Sequence, residues 1–337
     1  MGRIATLFLY TALTAYAQHV IVFGIDGLSV DGVNRANSPR LHQMMLESAW
    51  TLDARGVMPT LSSPNWASMI DGAGPEQHGI TSNGYLKPMV ELQPVCRGEA
   101  GMFPTIFDTL RRQRPDAQIA VFHDWPGFAN LVEKSAPNVL QHEHGPVKTI
   151  QAALDYWREK RPDLMFLQLD NVDHAGHASG WSSREYLREI EEDDRLLGLL
   201  LDMLRETEGG DSTYVLVTSD HGGKGRNHGK NSLEEILIPW ILHGPNVAPV
   251  HLTAPVYTFD TAATIAWILG IAPHSCWIGR PVMAAFQPAL ITARTDSGSR
   301  AISGAASRLC AEPAISAPVA AGSFSTPLAA HSGEHRN

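Results

Sequence analysis

Three acid-and-histidine groups and one serine carry the chemistry legible in this sequence. Asp26 ends the apolar run His19–Ile25, Asp173-His174-Ala175-Gly176-His177 follows a second run, and Ser219-Asp220-His221 follows a third, with His228 shortly after. Each group alone is ordinary, since a D-x-x-x-H spacing or an Asp-His pair is more often a solvated loop or a cap than a ligand set. Together Asp26, Asp173, His177, Asp220, His221 and His228 supply three carboxylates and three imidazoles. So many ionisable groups in one place require compensating cations, because unpaired charge removed from water is costly. Mixed nitrogen and oxygen donors suit zinc, with manganese and iron as alternatives. Six side chains exceed what one tetrahedral ion takes and suit two. Two divalent ions about 4 Å apart can clamp the attacking and leaving oxygens of an in-line displacement and ionise a hydroxyl near neutral pH. Ser62, in the stretch MPTLSSPNWASMIDGAGPEQHGITSN from Met58 to Asn83, is the hydroxyl such a centre would ionise. It stands just before Pro64, which opens a helix.

The elements that must position these residues follow from periodicity. His19–Ile25 is apolar and β-branched on both faces, as a central parallel strand requires. Strands are also expected at 118–122, 164–169, 214–218 and 236–242. Helices are expected from Ser38-Pro39 onward, over 104–112, 146–160, 182–206 and 260–269, the last closed by Gly270. Asp170 through His177 reads as a polar loop at a strand end. Strands alternating with helices predict an α/β fold: one domain with a mostly parallel central sheet flanked by helices on both faces. Ligands of such sheets bind beyond the carboxyl ends of the strands, where Asp26, Asp173 and Asp220 fall.

The chain has 337 residues, 44% of them apolar and 18% charged, with a formal charge of -9, so no basic surface recommends a nucleic acid duplex as partner. Residues 1–17 carry Arg3, an apolar run from Ile4 to Tyr16 and small residues at Ala15 and Ala17. They fit an export signal cut before Gln18, with a buried strand or an uncleaved anchor as the alternatives. The run falls short of the ~20 residues of a stable membrane span. Residues 18–290 would then form the catalytic domain of a periplasmic or extracellular protein. Residues 291–337, rich in Ala, Ser, Gly and Pro, read as a disordered tail. Cys96, Cys276 and Cys310 have no metal-binding spacing; one disulfide can form, and the spacing leaves the pair open, as it does the oligomeric state.

In their order, these motifs resemble the alkaline phosphatase superfamily and, within it, the type I phosphodiesterase/nucleotide pyrophosphatase family. The resemblance runs from about Val20 to Val282. It rests on the strand ending at Asp26, Pro59-Thr60-Leu61-Ser62-Ser63-Pro64-Asn65, Pro75-Glu76-Gln77-His78-Gly79-Ile80 with Asn83, Asp173 to His177, and Ser219-Asp220-His221-Gly222. It implies an alkaline phosphatase-like fold and a small-molecule phosphoester substrate. It implies that Asp173, His177 and His228 hold one ion and Asp26, Asp220 and His221 the other, with Ser62 between them as nucleophile. Asn83 matches the asparagine that donates to a non-bridging phosphoryl oxygen. Serine at position 62 departs from the family's usual threonine, and both offer an alkoxide. His228 follows Asp220-His221 more closely than in longer members, and His243 and His251 are its rivals.

The nearest alternative activity is phosphomonoester hydrolysis, which uses the same ligands but takes a more highly charged substrate. Between Arg55 and Lys87 the sequence has no basic residue to meet that charge. A sulfatase signature would need arginine where Trp66 stands, and a mutase sits poorly with an export signal. A non-catalytic binding protein that keeps the fold is the alternative of another class. Blander readings apply elsewhere. His78 is expected to bond its own turn, Met44 and Met45 to fill core, and Asp193 and Asp194 to lie on an exposed helix face. Lys224 and Arg226 are expected either in solvent or at a substrate phosphate. His123 and Asp124 are candidates for lining a substrate pocket, with Trp125 offering a stacking face.

Overall fold

The computed structural model describes residues 18–84, 92–98 and 100–287; the expected leader (1–17) and tail (291–337) lie outside the described residues. One sheet contains eight strands: β1 (His19–Ile25), β2 (Ala49–Arg55), β3 (Ile119–His123), β4 (Val139–His142), β5 (Leu164–Leu169), β6 (Thr213–Thr218), β7 (Leu237–His243) and β8 (Val250–His251). Their spatial order is β4-β3-β5-β1-β6-β7-β2-β8. β1 lies between β5 and β6, parallel to both, with Val20 opposite Leu164 and Tyr214. β7 is antiparallel to β6 and to β2, so it alone opposes the other seven strands.

The helices are α1 (Val30–Arg35), α2 (Pro39–Glu47), α3 (Ser62–Asp71), α4 (Pro75–His78), α5 (Ile106–Gln113), α6 (Pro146–Lys160), α7 (Asn171–Ser179), α8 (Arg184–Glu206), α9 (Leu233–Ile236) and α10 (Asp260–Leu269). Alternate β1 residues feed two cores, Val20 and Val22 into one and Ile21, Phe23 and Ile25 into the other. The first core is closed by α3, α5 and α10 through Trp66, Phe107 and Ile265. The second is closed by α2, α6 and α8 through Leu41, Trp157 and Leu197. This is the expected α/β architecture, a mostly parallel sheet covered on both faces. Among the described residues no helix is long and apolar enough to cross a membrane.

Two local expectations are corrected. The segment after β5 is the helix α7, not a loop. Its sequence NVDHAGHAS has no apolar period and contains poor helix formers, and packing against α8 holds it: Asn171 Nδ2 donates to Asp193 Oδ1 at 3.0 Å. Asp193 and Asp194 are accordingly buried rather than exposed. Asp194 accepts the N–H groups of Leu41 at 2.7 Å and Arg40 at 3.2 Å, capping α2. Ser38 occupies the N-cap of that helix without making the cap bond. The short elements α1, β2 and β4 have no counterpart among the expectations. Cys96 and Cys276, 180 residues apart, are joined by a disulfide.

Glu133 is buried against Thr105, the N-cap of α5; its carboxylate accepts the Thr105 hydroxyl at 2.6 Å and its N–H at 3.2 Å. Burial pushes the Glu133 carboxyl up to about 7 from an ordinary 4.5. Buried Asp71 is raised for the same reason, and the Glu133 charge adds to it. A folded-state value above the unfolded one gives stability that is complete below about pH 4.5 and lost as pH rises through about 7. Glu133→Gln keeps an acceptor and cannot ionise. Between pH 5 and pH 8 its stability relative to the wild type is therefore expected to rise by roughly 2 kcal/mol, measured by denaturant unfolding.

Candidate metal centre and nucleophile

The loop that leads to Ser62 is shaped by one buried amide. Asn65 Oδ1 accepts the Val57 N–H at 2.6 Å, while Nδ2 donates to the carbonyls of Val57 at 3.3 Å, Pro59 at 3.1 Å and Leu61 at 2.9 Å. The turn thus satisfies its backbone on a residue of the helix it leads into, and Ser62 emerges as the first residue of α3. The positive end of the helix favours an alkoxide there. Ser62 Oγ lies 3.3 Å from His221 Nε2. Asn83 Oδ1 accepts the Ser63 N–H at 2.8 Å, which holds its carboxamide beside the residue that follows Ser62. Asn65→Ala leaves the part-buried Val57 N–H and C=O to find other partners and removes the side-chain tie to the Pro59 and Leu61 carbonyls. It is expected to destabilise by roughly 1–3 kcal/mol and to slow turnover, read by thermal melting and steady-state kinetics.

Asp26 and Asp220 are each held by one carboxylate oxygen and present the other. Asp26 Oδ2 accepts Trp66 Nε1–H at 2.8 Å and Gln168 Nε2–H at 3.1 Å, and Asp220 Oδ1 accepts the Gly27 N–H at 3.1 Å. Asp26 Oδ1, Asp220 Oδ2 and Asp173 Oδ1 are buried without a hydrogen-bond partner. The helix α7 puts Asp173 and His177 on one face, four residues apart, with His177 Nε2 3.4 Å from Asp173 Oδ2.

The imidazoles are oriented from behind. A carbonyl only accepts, so Nδ1 is the donor where His221 meets Gly222 O (2.8 Å), His228 meets Thr60 O (2.7 Å) and His177 meets Arg226 O (2.9 Å). In the neutral ring Nε2 is then a bare lone pair. His221 Nε2 faces Asp220 Oδ2 at 3.2 Å and Asp26 Oδ1 at 3.5 Å. His228 Nε2 faces His177 Nε2 at 3.1 Å and Asp173 Oδ1 at 3.6 Å. Burial lowers His221 to about 3, and burial with the neighbouring His221 lowers His228 to about 4, so both are neutral near pH 7. Lone pairs aimed at lone pairs repel unless cations stand between them. The donor set therefore fits divalent ions, with carbonyl-oriented imidazoles of the kind metal sites use.

Donor atoms of Asp26, Asp220 and His221 lie within 4.8 Å of one another, as do those of Asp173, His221 and His228. A third such group joins Asp26 and Asp173 to Asp170, a carboxylate absent from the expected ligands. Burial, then the charges of Asp220, Asp173 and Asp170, raise Asp26 well above the usual range. Burial also pushes Asp173 up to about 8, and Asp170 and Asp220 to about 6.

The structure brings all eight expected site residues together: Asp26, Ser62, Asn83, Asp173, His177, Asp220, His221 and His228. It takes the rivals of His228 elsewhere. His243 pairs with Val215 at the opposite end of the sheet, because β7 runs against its neighbours, and it meets Ser48 Oγ at 3.1 Å. His251 stacks on Trp50 at the sheet edge, with ring centroids 4.4 Å apart. His78 bonds its own turn as expected, to Ile80 N–H and Ser68 Oγ, each at 3.0 Å. Lys224 pairs with Glu234 at 2.9 Å. Asp124 accepts the Gly145 N–H at 2.7 Å, and Trp125 N–H donates to Gln168 Oε1 at 2.9 Å. These two brace the centre through Gln168 and Asp170. The residues not anticipated in these roles are Asp170, Gln168 and Trp66. Gln168 had one signal, a polar residue inside the apolar run of β5.

The sequence profile of the type I phosphodiesterase/nucleotide pyrophosphatase family matches residues 20–242, from the start of β1 past His228. The chain belongs to this family. Mouse ectonucleotide pyrophosphatase/phosphodiesterase family member 1 is 24% identical over 216 residues, 60% of this chain and 24% of that protein. A Schizosaccharomyces pombe pyrophosphatase/phosphodiesterase is 29% identical over 221 residues, 61% of this chain and 45% of that one. The chain thus spans between a quarter and a half of these curated relatives. Murine ectonucleotide pyrophosphatase/phosphodiesterase 5 shares the fold at a TM-score of 0.67 and 16% identity, over 80% of this chain and all of that chain. A 2-O glycosaminoglycan sulfatase shares it at 0.61 and 15%, over 79% and 73%.

Proposed function

We propose that this family member is a two-metal phosphodiesterase or nucleotide pyrophosphatase in which Ser62 is the nucleophile. The single observation that carries the reading is the cluster of bare donor atoms that Ser62 Oγ adjoins, 3.3 Å from His221 Nε2: the imidazoles are oriented from behind and three buried carboxylate oxygens have no hydrogen-bond partner. Asp26, Asp220 and His221 would hold one ion and Asp173, His177 and His228 the other, and zinc suits this donor set. Such ions, when bound, neutralise charge on the transferring phosphoryl group and favour the ionised hydroxyl.

Ser62 Oγ attacks phosphorus in line, forming a Ser–O–P bond as the bond to the leaving oxygen breaks. Asn83, fixed through Ser63 N–H, directs its amide N–H groups at a non-bridging oxygen. Water then attacks the phosphoserine phosphorus, the Ser–O–P bond breaks, and Ser62 regains a proton.

Diesters and pyrophosphates are preferred over monoesters on two grounds. The nucleophile segment offers no cation between Arg55 and Lys87, and Asp26 Oδ2 is committed to Trp66 and Gln168. Relatives include a Crotalus adamanteus venom phosphodiesterase, and a murine ectonucleotide pyrophosphatase/phosphodiesterase 5 of the same fold has been solved in complex with AMP. Hydrolysis of bis-p-nitrophenyl phosphate, p-nitrophenyl phosphate and p-nitrophenyl sulfate with added zinc tests the assignment. The diester should be cleaved fastest; a faster monoester would leave a phosphomonoesterase, and a faster sulfate would overturn the assignment. Export is proposed from the leader and agrees with the Cys96–Cys276 disulfide, which persists in oxidising compartments. Edman sequencing of the mature protein should begin at Gln18.

A further inference from the structure

The loop between β6 and α9 delivers Asp220, His221 and His228, and the sequence HGGKGRNHG has too many glycines to hold the last imidazole by itself. Two side chains that no step above uses tie it down. Thr60 and Glu235 are 0% and 2% exposed. The Thr60 hydroxyl donates to Lys230 O at 2.8 Å and accepts the Gly229 N–H at 3.0 Å. Glu235 Oε2 accepts the Lys230 N–H at 2.9 Å and lies 3.3 Å from the same hydroxyl, while its backbone carbonyl accepts the Gly222 N–H at 2.8 Å. The Thr60 carbonyl takes the His228 Nδ1–H.

We propose that Thr60 and Glu235 are positioning residues for the reaction: a latch between the nucleophile loop and the last metal ligand that sets the His228 ring relative to Ser62. The proposal rests on the two-metal reading above. Thr60 stands two residues before Ser62, and its partners Gly229 and Lys230 directly follow His228, so one buried hydroxyl and one buried carboxylate hold both ends. Gly229 has φ +103°, and a Cβ there would meet Leu61 Cδ2 at 2.8 Å, so the turn after His228 takes glycine. Residues that orient a ligand from behind influence metal affinity as well as turnover.

Zinc affinity, measured by competition with a chromophoric chelator, tests the latch. Thr60→Val removes the hydroxyl at nearly constant volume, and Glu235→Ala removes the acceptor. Each is expected to weaken zinc binding by about 10–100-fold. Thr60→Ser and Glu235→Gln keep hydroxyl and acceptor and should stay close to wild type. In the metal-free proteins, the Gly229 and Lys230 amides should exchange faster in Thr60→Val and Glu235→Ala than in wild type. Both measurements are made well below the melting temperature of each variant. A lowered melting temperature with unchanged zinc affinity and unchanged amide exchange would overturn the latch and leave a merely structural role. If Glu235→Ala does not fold, the Thr60→Val and Thr60→Ser pair decides alone. Wild-type protein that takes up no zinc would sink the two-metal reading, and amide exchange in the metal-free variants would still decide the latch.

Discussion

Ser62→Ala is expected to lower kcat/KM by on the order of 10⁴-fold or more, while the protein still takes up two zinc ions. The size of the loss follows from covalent catalysis, in which no neighbouring group replaces the missing oxygen. The six proposed ligands remain after the substitution, and Ser62 sits in the buried first turn of α3, where alanine fits without strain. Rapid quenching with a ³²P-labelled diester should trap label on Ser62 of the wild type and none on the variant. An alanine variant with full activity would sink the nucleophile assignment. Ser62→Thr restores the family's usual hydroxyl and should retain turnover, with any loss reporting the crowding of one methyl at a buried position.

Metal removal is expected to have the second largest effect, and its sign depends on pH. In the metal-free protein burial holds Asp173 near 8 and Asp170 and Asp220 near 6, with neighbouring carboxylates adding to the rise at Asp173 and Asp170, so the folded state binds protons more tightly than the unfolded chain. That contribution is complete below the ordinary carboxylate range and disappears as pH rises through about 6 to 8, so the stripped protein should melt lower at pH 8.5 than at pH 5.5. Cations take the place of those protons. Zinc at about 100 times its Kd should add roughly 2.7 kcal/mol near pH 8, a rise in melting temperature of about 5–10 °C. The gain should shrink at pH 5.5, where protons compete for the same oxygens, and zinc uptake should release protons in an unbuffered titration. A stripped protein that melts equally at both pH values, or gains nothing from zinc, would contradict the assignment of these carboxylates.

Much of the fold was legible because its signals are local. β1, β5, α6 and α10 occupy the spans expected from their apolar runs and stops. Elements stabilised from outside were not legible. α7 lacks an apolar stripe and exists because α8 supplies Asp193 to Asn171, and Asp194 was misplaced because its cap bonds reach 153 and 154 residues back along the chain.

The same division runs through the centre. Residue types and motif order by themselves pointed to six candidate metal ligands, to Ser62 and to the α/β class, and the family resemblance added Asn83, because donor chemistry and strand periodicity are properties of the residues and their near neighbours. Only the tertiary structure decided which way each donor points, that Asp170 joins the carboxylates, that Trp66 and Gln168 hold Asp26, and that His228 rather than His243 lies among the donors. It also selected Cys96 and Cys276 as the bonded pair. These decisions depend on strand direction and on hydrogen bonds between residues 40 to 193 apart in the chain, and no local pattern encodes a partner at that distance.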